Sequence, residues 1–197
     1  MAYPAISAPY GLKPVKLLSG SPFVGVTRHY KIASAYATSI FYGDAVKLVT
    51  GGVVERDAAD AAMTPIGVFL GCTYTDPSLG YKLFSQYYPA GIVATDIEAY
   101  VADGTDILFK AAVVSSGTTI GDLAQTDVGA NVAMVDNAGI AATGNSRIAI
   151  SDTSATTASL PLRLVGLVEE TKNTSGGYTE AYVKWNAGHQ FNSTTGV

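Results

Sequence analysis

Two histidines, one cysteine and a few carboxylate and glycine clusters are the residues of this chain equipped for chemistry. Their spacing assembles none of the usual sites. His29 sits between Arg28 and Tyr30 in an alternating stretch, and His189 sits in the tail. Without a third partner they make a poor metal set or triad. Cys72 ends the apolar run Val68-Phe69-Leu70-Gly71-Cys72 and reads as a buried core thiol. As the only cysteine it cannot form an internal disulfide. Asp103-Gly104-Thr105-Asp106 has the oxygen-rich look of a calcium loop, but it lacks an alternating acidic series and a glutamate at the twelfth position. Turn geometry accounts for it better. Gly117-Thr118-Thr119-Ile120-Gly121-Asp122 lacks the Gly-Lys-Ser/Thr ending and following helix of a phosphate loop. Glu169 and Glu170 are adjacent on an expected strand, so they point to opposite faces and cannot share one hydrolytic site. There is no Gly-x-Ser-x-Gly elbow. The expectation is a protein with no catalytic residues, no metal and no cofactor, and so not an enzyme.

Composition agrees with that expectation. Of 197 residues 48% are hydrophobic and only 14% are charged, against about a quarter charged in an average domain. Such a chain is too apolar for disorder and long enough to bury a core. A net charge of -4 argues against a nucleic-acid partner, which needs a basic surface to displace counterions. The charge is unevenly spread. Lys13, Lys16, Arg28, Lys31 and Lys47 face only Asp44 within residues 1–50. Asp96, Glu98, Asp103, Asp106, Asp122, Asp127 and Asp136 face only Lys110 within residues 83–136. Ordinary surface scatter is one reading; head-to-tail or partner docking by complementary patches is the other. No apolar run reaches the roughly 18–20 residues of a membrane span, and Met1 to Pro9 has no signal-peptide pattern.

The elements follow from punctuation and period. Pro4, Pro9, Pro14 and Pro22 forbid a helix over residues 1–22. That segment reads as an extended arm with anchors at Tyr3, Ile6, Tyr10, Leu12, Val15 and Leu17. Strands are expected at Phe23–Ile32, Ala45–Val49, from Val53 as its hairpin partner, Ile66–Thr75, within Gly91–Val101, Ile107–Ser115, in short pieces over Ala124–Gly144, and at Ser146–Ser151, Leu160–Glu170 and Tyr178–Trp185. Pro77–Pro89 reads as a Tyr-rich loop and Ser151–Ser159 as a Ser/Thr/Ala loop. This pattern predicts an all-β fold, a β-barrel or β-sandwich of jelly-roll or tulip-like form. It comprises an arm over 1–22, a β domain over 23–187 and a polar tail over 188–197. The β domain reads either as one body or as two subunits at about 23–90 and 91–187. Tyr42-Gly43-Asp44 before a strand and Ile66-Gly67-Val68-Phe69-Leu70 after it are echoed by Ile120-Gly121-Asp122-Leu123 and Leu164-Val165-Gly166-Leu167-Val168-Glu169. Either one β unit is used twice, or common dipeptides recur. Among twelve tyrosines, Tyr81, Tyr87 and Tyr88 stand out as candidate interface aromatics.

Several segments together carry a resemblance. Ala8-Pro9-Tyr10-Gly11-Leu12-Lys13-Pro14-Val15, Gly43-Asp44-Ala45-Val46-Lys47-Leu48, Ile66-Gly67-Val68-Phe69 and Ala181-Tyr182-Val183-Lys184-Trp185 occur in an order that resembles head decoration (cement) proteins of tailed bacteriophages, podovirus- and cyanophage-like. The resemblance implies a structural virion protein on the outer capsid surface, assembled in the host cytoplasm. It would bind the major capsid protein, brace neighbouring capsomers and self-associate as a trimer or dimer, without touching nucleic acid or membrane. The arm residues Tyr3, Ile6, Tyr10, Leu12, Lys13, Val15 and Lys16 are then the expected capsid contacts. The alternative is a receptor- or glycan-binding adhesion module of a phage tail or surface structure, with exposed tyrosines and Trp185 stacking on sugars.

Overall fold

The computed structural model describes residues 6–58, 61–172, 176–186, 188–193 and 196–197. Tyr3 lies outside them. Among the described residues there are thirteen strands, two three-residue 3-10 turns and no α-helix, the expected all-β class.

Residues 28–102 form the first closed barrel. Its strands are β2 (Arg28–Lys31), β3 (Ala45–Val49), β4 (Val53–Arg56), β5 (Gly67–Thr75) and β7 (Glu98–Ala102), in the ring β3-β4-β2-β7-β5. Pairing of Ala45 with Val68 closes the ring. A further strand, β6 (Lys82–Ser85), pairs with β5 outside it. The second barrel is built from β8 (Ile107–Ser116), β10 (Asn131–Val135), β11 (Ala149–Ala155), β12 (Leu162–Leu167) and β13 (Glu180–Trp185). Its ring runs β8-β11-β10-β12-β13 and closes where β13 meets β8. Two short strands flank β8: β1 (Lys13–Leu17), from the N-terminal segment, and β9 (Thr119–Ile120).

The two rings have one topology. In each, the first strand pairs parallel with the third (β2 with β4, β8 with β11). The second pairs antiparallel with the third and the fourth. The fifth pairs antiparallel with the fourth and the first. The sequence echo falls on matching places. Gly43-Asp44 and Gly121-Asp122 each lie between the first and second strands, and both apolar Gly-containing runs lie on the fourth, β5 and β12.

Each barrel fills its interior by period-two alternation. Val46, Val54, Phe69, Ile97, Ala99 and Val101 sit in the first core. Phe109, Ala111, Val113, Ile150, Leu162, Leu164, Val183 and Trp185 sit in the second. The second core also takes in Leu12, Ala45, Met63, Val68 and Ala102, so it runs on into the first barrel. The change from one barrel to the other falls between Ala102 and Ile107.

Other expectations need revision. The long strand at Phe23–Ile32 shrinks to Arg28–Lys31, because Gly25 turns to φ +80° and leaves Val24 and Val26 79% and 68% exposed. The Tyr-rich loop contains β6, and the Ser/Thr/Ala loop contributes the second half of β11. Over Ala124–Gly144 the only strand is β10, and in Gly91–Val101 the strand begins at Glu98.

Candidate functional site

The N-terminal segment is tied into its own body. Gly11 N–H donates to the Ile148 carbonyl and Leu12 N–H to the Gly43 carbonyl, both at 3.0 Å. Gly11 (φ +82°) and Gly43 (φ +95°) cross backbone to backbone. A Cβ on Gly11 would lie 2.8 Å from the Gly43 carbonyl oxygen and 2.7 Å from Ser146 Cβ, which only glycine avoids. The first two segments behind the resemblance thus meet in space. Beyond the crossing, Leu12 is fully buried and β1 runs antiparallel along β8 from Lys13↔Lys110 to Leu17↔Ile107.

Of the expected capsid contacts, Leu12 is therefore a core residue. Ile6 and Tyr10 pack on Ala112, Val114, Ala149 and Tyr178 of the second barrel. The Tyr10 hydroxyl donates to Glu180, which also accepts from Lys110 Nζ at 2.9 Å. Burial first, then the Glu180 bond, pushes the Tyr10 phenol far above its ordinary range, so it serves as a fixed donor and not as a base. Lys13 Nζ lies 4.2 Å above the Tyr10 ring. Among the described residues of that set, only Lys13, Val15 and Lys16 are exposed.

The sequence-level chemistry candidates stay apart. His29 is exposed, edge-on to Tyr100 and 4.0 Å from Glu98. Asp103 is buried, accepting from the Tyr30 hydroxyl at 2.6 Å and pairing with Arg28 at 3.3 Å, while Asp106 is exposed. Burial pushes the Cys72 thiol up to about 12, an unreactive core thiol. Glu169 and Glu170 lie in the turn after β12, both exposed. Among the described residues no three His, Cys, Asp or Glu side chains cluster for a metal.

The tail is less polar in its role than in its composition. His189 is fully buried between the Trp185 and Phe191 rings. Gln190 donates to and accepts from the Leu48 backbone, each at 2.8 Å, latching the end of the second barrel onto the first. Burial holds the His189 pKa below its usual value. Unfolding then takes up a proton below about pH 6.5, so this group's stabilisation is present above that pH and fades as pH falls toward the depressed folded value. A His189→Gln variant is expected to gain in Tm relative to wild type as pH drops from 7 to 5. A Tm difference that stays constant across that range would show that His189 does not titrate on unfolding.

The candidate aromatics separate sharply. Tyr88 is in the first core, its hydroxyl on the Tyr36 carbonyl. Tyr87 stacks on Phe41 at 5.3 Å. Tyr81 alone of the three is exposed. The missed residue is Phe84, which is 75% exposed on β6; the adjacent apolar pair Leu83-Phe84 carries no alternation that would have marked it as outward-facing. Leu79 and Tyr81 flank it on the hairpin, 57% and 54% exposed. Among the described residues β6 is bonded to β5 alone, so its outer backbone edge is unpaired there. A second apolar region is a groove of about 230 Å³ beside Val24 and Val26, floored by Leu17, Phe23 and Ile107. These features offer binding surface: an unpaired strand edge and apolar side chains, with Arg28, Asp103 and Asp106 also lining the groove. The chain matches no known family model, no curated protein and no solved structure.

Proposed function

We propose that this chain is a structural virion protein that decorates a capsid, binding the outer surface of the major capsid protein lattice and cementing neighbouring capsomers. The reading starts from the order of segments that resemble phage decoration proteins. The observation that carries it further is β6. Closing a sheet into a barrel removes its edges, and this chain does so twice. Yet β6 stays outside the first ring, paired among the described residues with β5 alone, and carries an exposed phenylalanine. Such an edge accepts an extended segment of a partner by main-chain hydrogen bonds, and Phe84 supplies an apolar anchor. On a lattice, many weak contacts of this kind add up. Because residues 6–17 are held in cis, the shell contact moves from the arm to the β5–β6 hairpin. The adhesion alternative retains Tyr81 of its three tyrosines and loses Trp185, which is buried in the second core.

The test is co-sedimentation with expanded, undecorated shells. Phe84→Asp leaves both cores untouched, and losing a buried phenylalanine contact of roughly 1.5–3 kcal/mol should weaken shell binding about 10- to 100-fold. Unchanged binding of Phe84→Asp would remove the hairpin from the contact. Wild-type protein that ignores shells would remove the decoration reading.

A further inference from the structure

The docking of β1 on β8 sets two cations against each other beside a cavity. Lys13 stands directly opposite Lys110 across the strands, and like charges so placed destabilise a sheet unless something offsets them. One carboxylate does so in part. Glu180 is 3% exposed and takes Lys110 Nζ on both oxygens, at 2.9 and 3.1 Å, while Oε1 also accepts from the Tyr10 hydroxyl. Lys110 and Tyr10 thus use up Glu180. Lys13 rests its ammonium 4.2 Å over the Tyr10 ring, and among the described residues no carboxylate pairs with it. Two ammoniums and one carboxylate leave the group with one net positive charge.

Lys13, Lys110 and Glu180 line a cavity of about 470 Å³, inside the range of roughly 300–1,000 Å³ for small-ligand sites. Its other walls are residues 6–10 and the connection between β10 and β11. The bond from Gly11 N–H to the Ile148 carbonyl ties these two segments together. Ile6, Pro9 and Ile140 give the cavity apolar wall. Asn145 gives it a donor, since its Oδ1 accepts from Gln86 Nε2 at 2.6 Å and its Nδ2 has no acceptor among the described residues. Ser7 adds an exposed hydroxyl. None of Tyr81, Tyr87, Tyr88 and Trp185 lines this cavity, so it is separate from the aromatics of the adhesion alternative.

We propose that the cavity binds a small hydroxylated monocarboxylate, a sugar acid, with its carboxylate on Lys13 and its hydroxyls on Asn145 and Ser7. One uncompensated charge matches one carboxylate. A phosphate monoester carries about two negative charges at pH 7, and the second would face Glu180 with no cation to meet it. A wholly apolar acid would cover Asn145 Nδ2 without giving it an acceptor. A neutral sugar would leave Lys13 unanswered. The C–H groups of a sugar ring can lie on Ile6, Pro9 and Ile140. The site is apart from the β5–β6 hairpin, so it stands or falls without shell binding.

Calorimetric titration and amide NMR of the full chain with sodium glucuronate test it. Saturable binding at a single site is expected, with shifts centred on residues 6–13, 110, 140–146 and 180. Glucose, the same ring without the charge, should bind at least about tenfold more weakly. Lys13→Gln should weaken glucuronate binding about 10- to 100-fold and Asn145→Ala about 2- to 10-fold. Lys16→Gln removes the same charge from the same strand outside the cavity and should change affinity less than about twofold. Lys13 and Lys16 are both exposed, so neither change disturbs a core. An oligosaccharide ending in glucuronate that outbinds the free acid would support the proposal with a polysaccharide end as the source, and equal affinity would support it with a free sugar acid. Absence of saturable binding would overturn it. So would equal losses from Lys13→Gln and Lys16→Gln, which mark diffuse attraction to a basic strand. A sugar phosphate that binds more tightly than glucuronate would also overturn it and assign the cavity to phosphates.

Discussion

Leu12→Ala is expected to destabilise the protein by about 2–5 kcal/mol, the range for truncating a fully buried leucine, and to lower Tm by roughly 4–20 °C. Leu12 has no exposed surface and belongs to the one apolar cluster that joins Ala45, Met63 and Val68 of the first barrel to Ile107, Phe109 and Ile148 of the second. Its backbone is clamped as well, since the N–H is bonded to Gly43 and the preceding Gly11 to Ile148. A cavity there opens at the junction of two units, and neither can collapse into it without parting from the other. The neighbouring exposed change Val15→Ala is the control, with an expected effect within about 0.5 kcal/mol. Thermal unfolding read by circular dichroism decides between them. A Leu12→Ala shift no larger than that of Val15→Ala would mean that the segment is a detachable arm after all.

Arg56→Met is expected to destabilise by about 3–5 kcal/mol at neutral pH, because it strands a buried charge. Arg56 Nε pairs with Asp44 at 3.0 Å, and its outer nitrogens reach Asp136, so one guanidinium joins the first barrel to the second. Asp44 is fully buried and also accepts from the Phe41 N–H at 2.9 Å. Burial raises the Asp44 pKa, and Arg56 pulls against that rise. Removing the arginine lifts it further. A carboxylate with a folded pKa above its unfolded value binds more protons in the native state, so stability grows as pH falls through the raised value. The deficit of Arg56→Met should therefore be largest at pH 7 and shrink on acidification. Adding Asp44→Asn, which removes the stranded charge, should restore most of the loss. A deficit independent of pH, or one that Asp44→Asn deepens, would contradict the buried-charge account.

Much of the fold was legible in the residues because closed barrels announce themselves locally. Ala45–Val49 and its partner from Val53 are separated by Gly51-Gly52 and form the expected hairpin, with Val49 opposite Val53. Ile107–Ser115 is a nearly continuous apolar run and became β8, buried along most of its length, and Tyr178–Trp185 became β13 with its two-residue lead-in. What was hidden depends on partners distant in sequence. β6 looks like loop because it is four residues long, lies between Pro77 and Pro89 and has no alternation, and only pairing with Cys72–Thr75 makes it a strand. Ser151–Ala155 looks like loop for its small hydroxyl residues, yet it follows β10 through a register shift. Val24 and Val26 mislead in the other direction, since the alternation is present and no neighbouring strand takes it up.

The candidate site was less legible than the fold. Proline punctuation gave the extended form of the N-terminal segment, but extension says nothing of where a strand docks. The crossing of Gly11 over Gly43 decides that. Tyr87 and Tyr88 looked like surface aromatics by clustering. Burial distinguishes them from Phe84, and burial is set by the β5–β6 hairpin leaving the ring. The charge asymmetry was visible as a list of residues. Lys13 and Lys110 face each other because β1, from the start of the chain, lies antiparallel along β8.

The most direct test of the decoration reading is a count of copies bound per shell, obtained by co-sedimenting the purified chain at increasing concentration with expanded, undecorated capsid shells. Saturation at a fixed number set by icosahedral symmetry is the result expected of a cement protein. No binding, or binding that rises without a plateau, would contradict it.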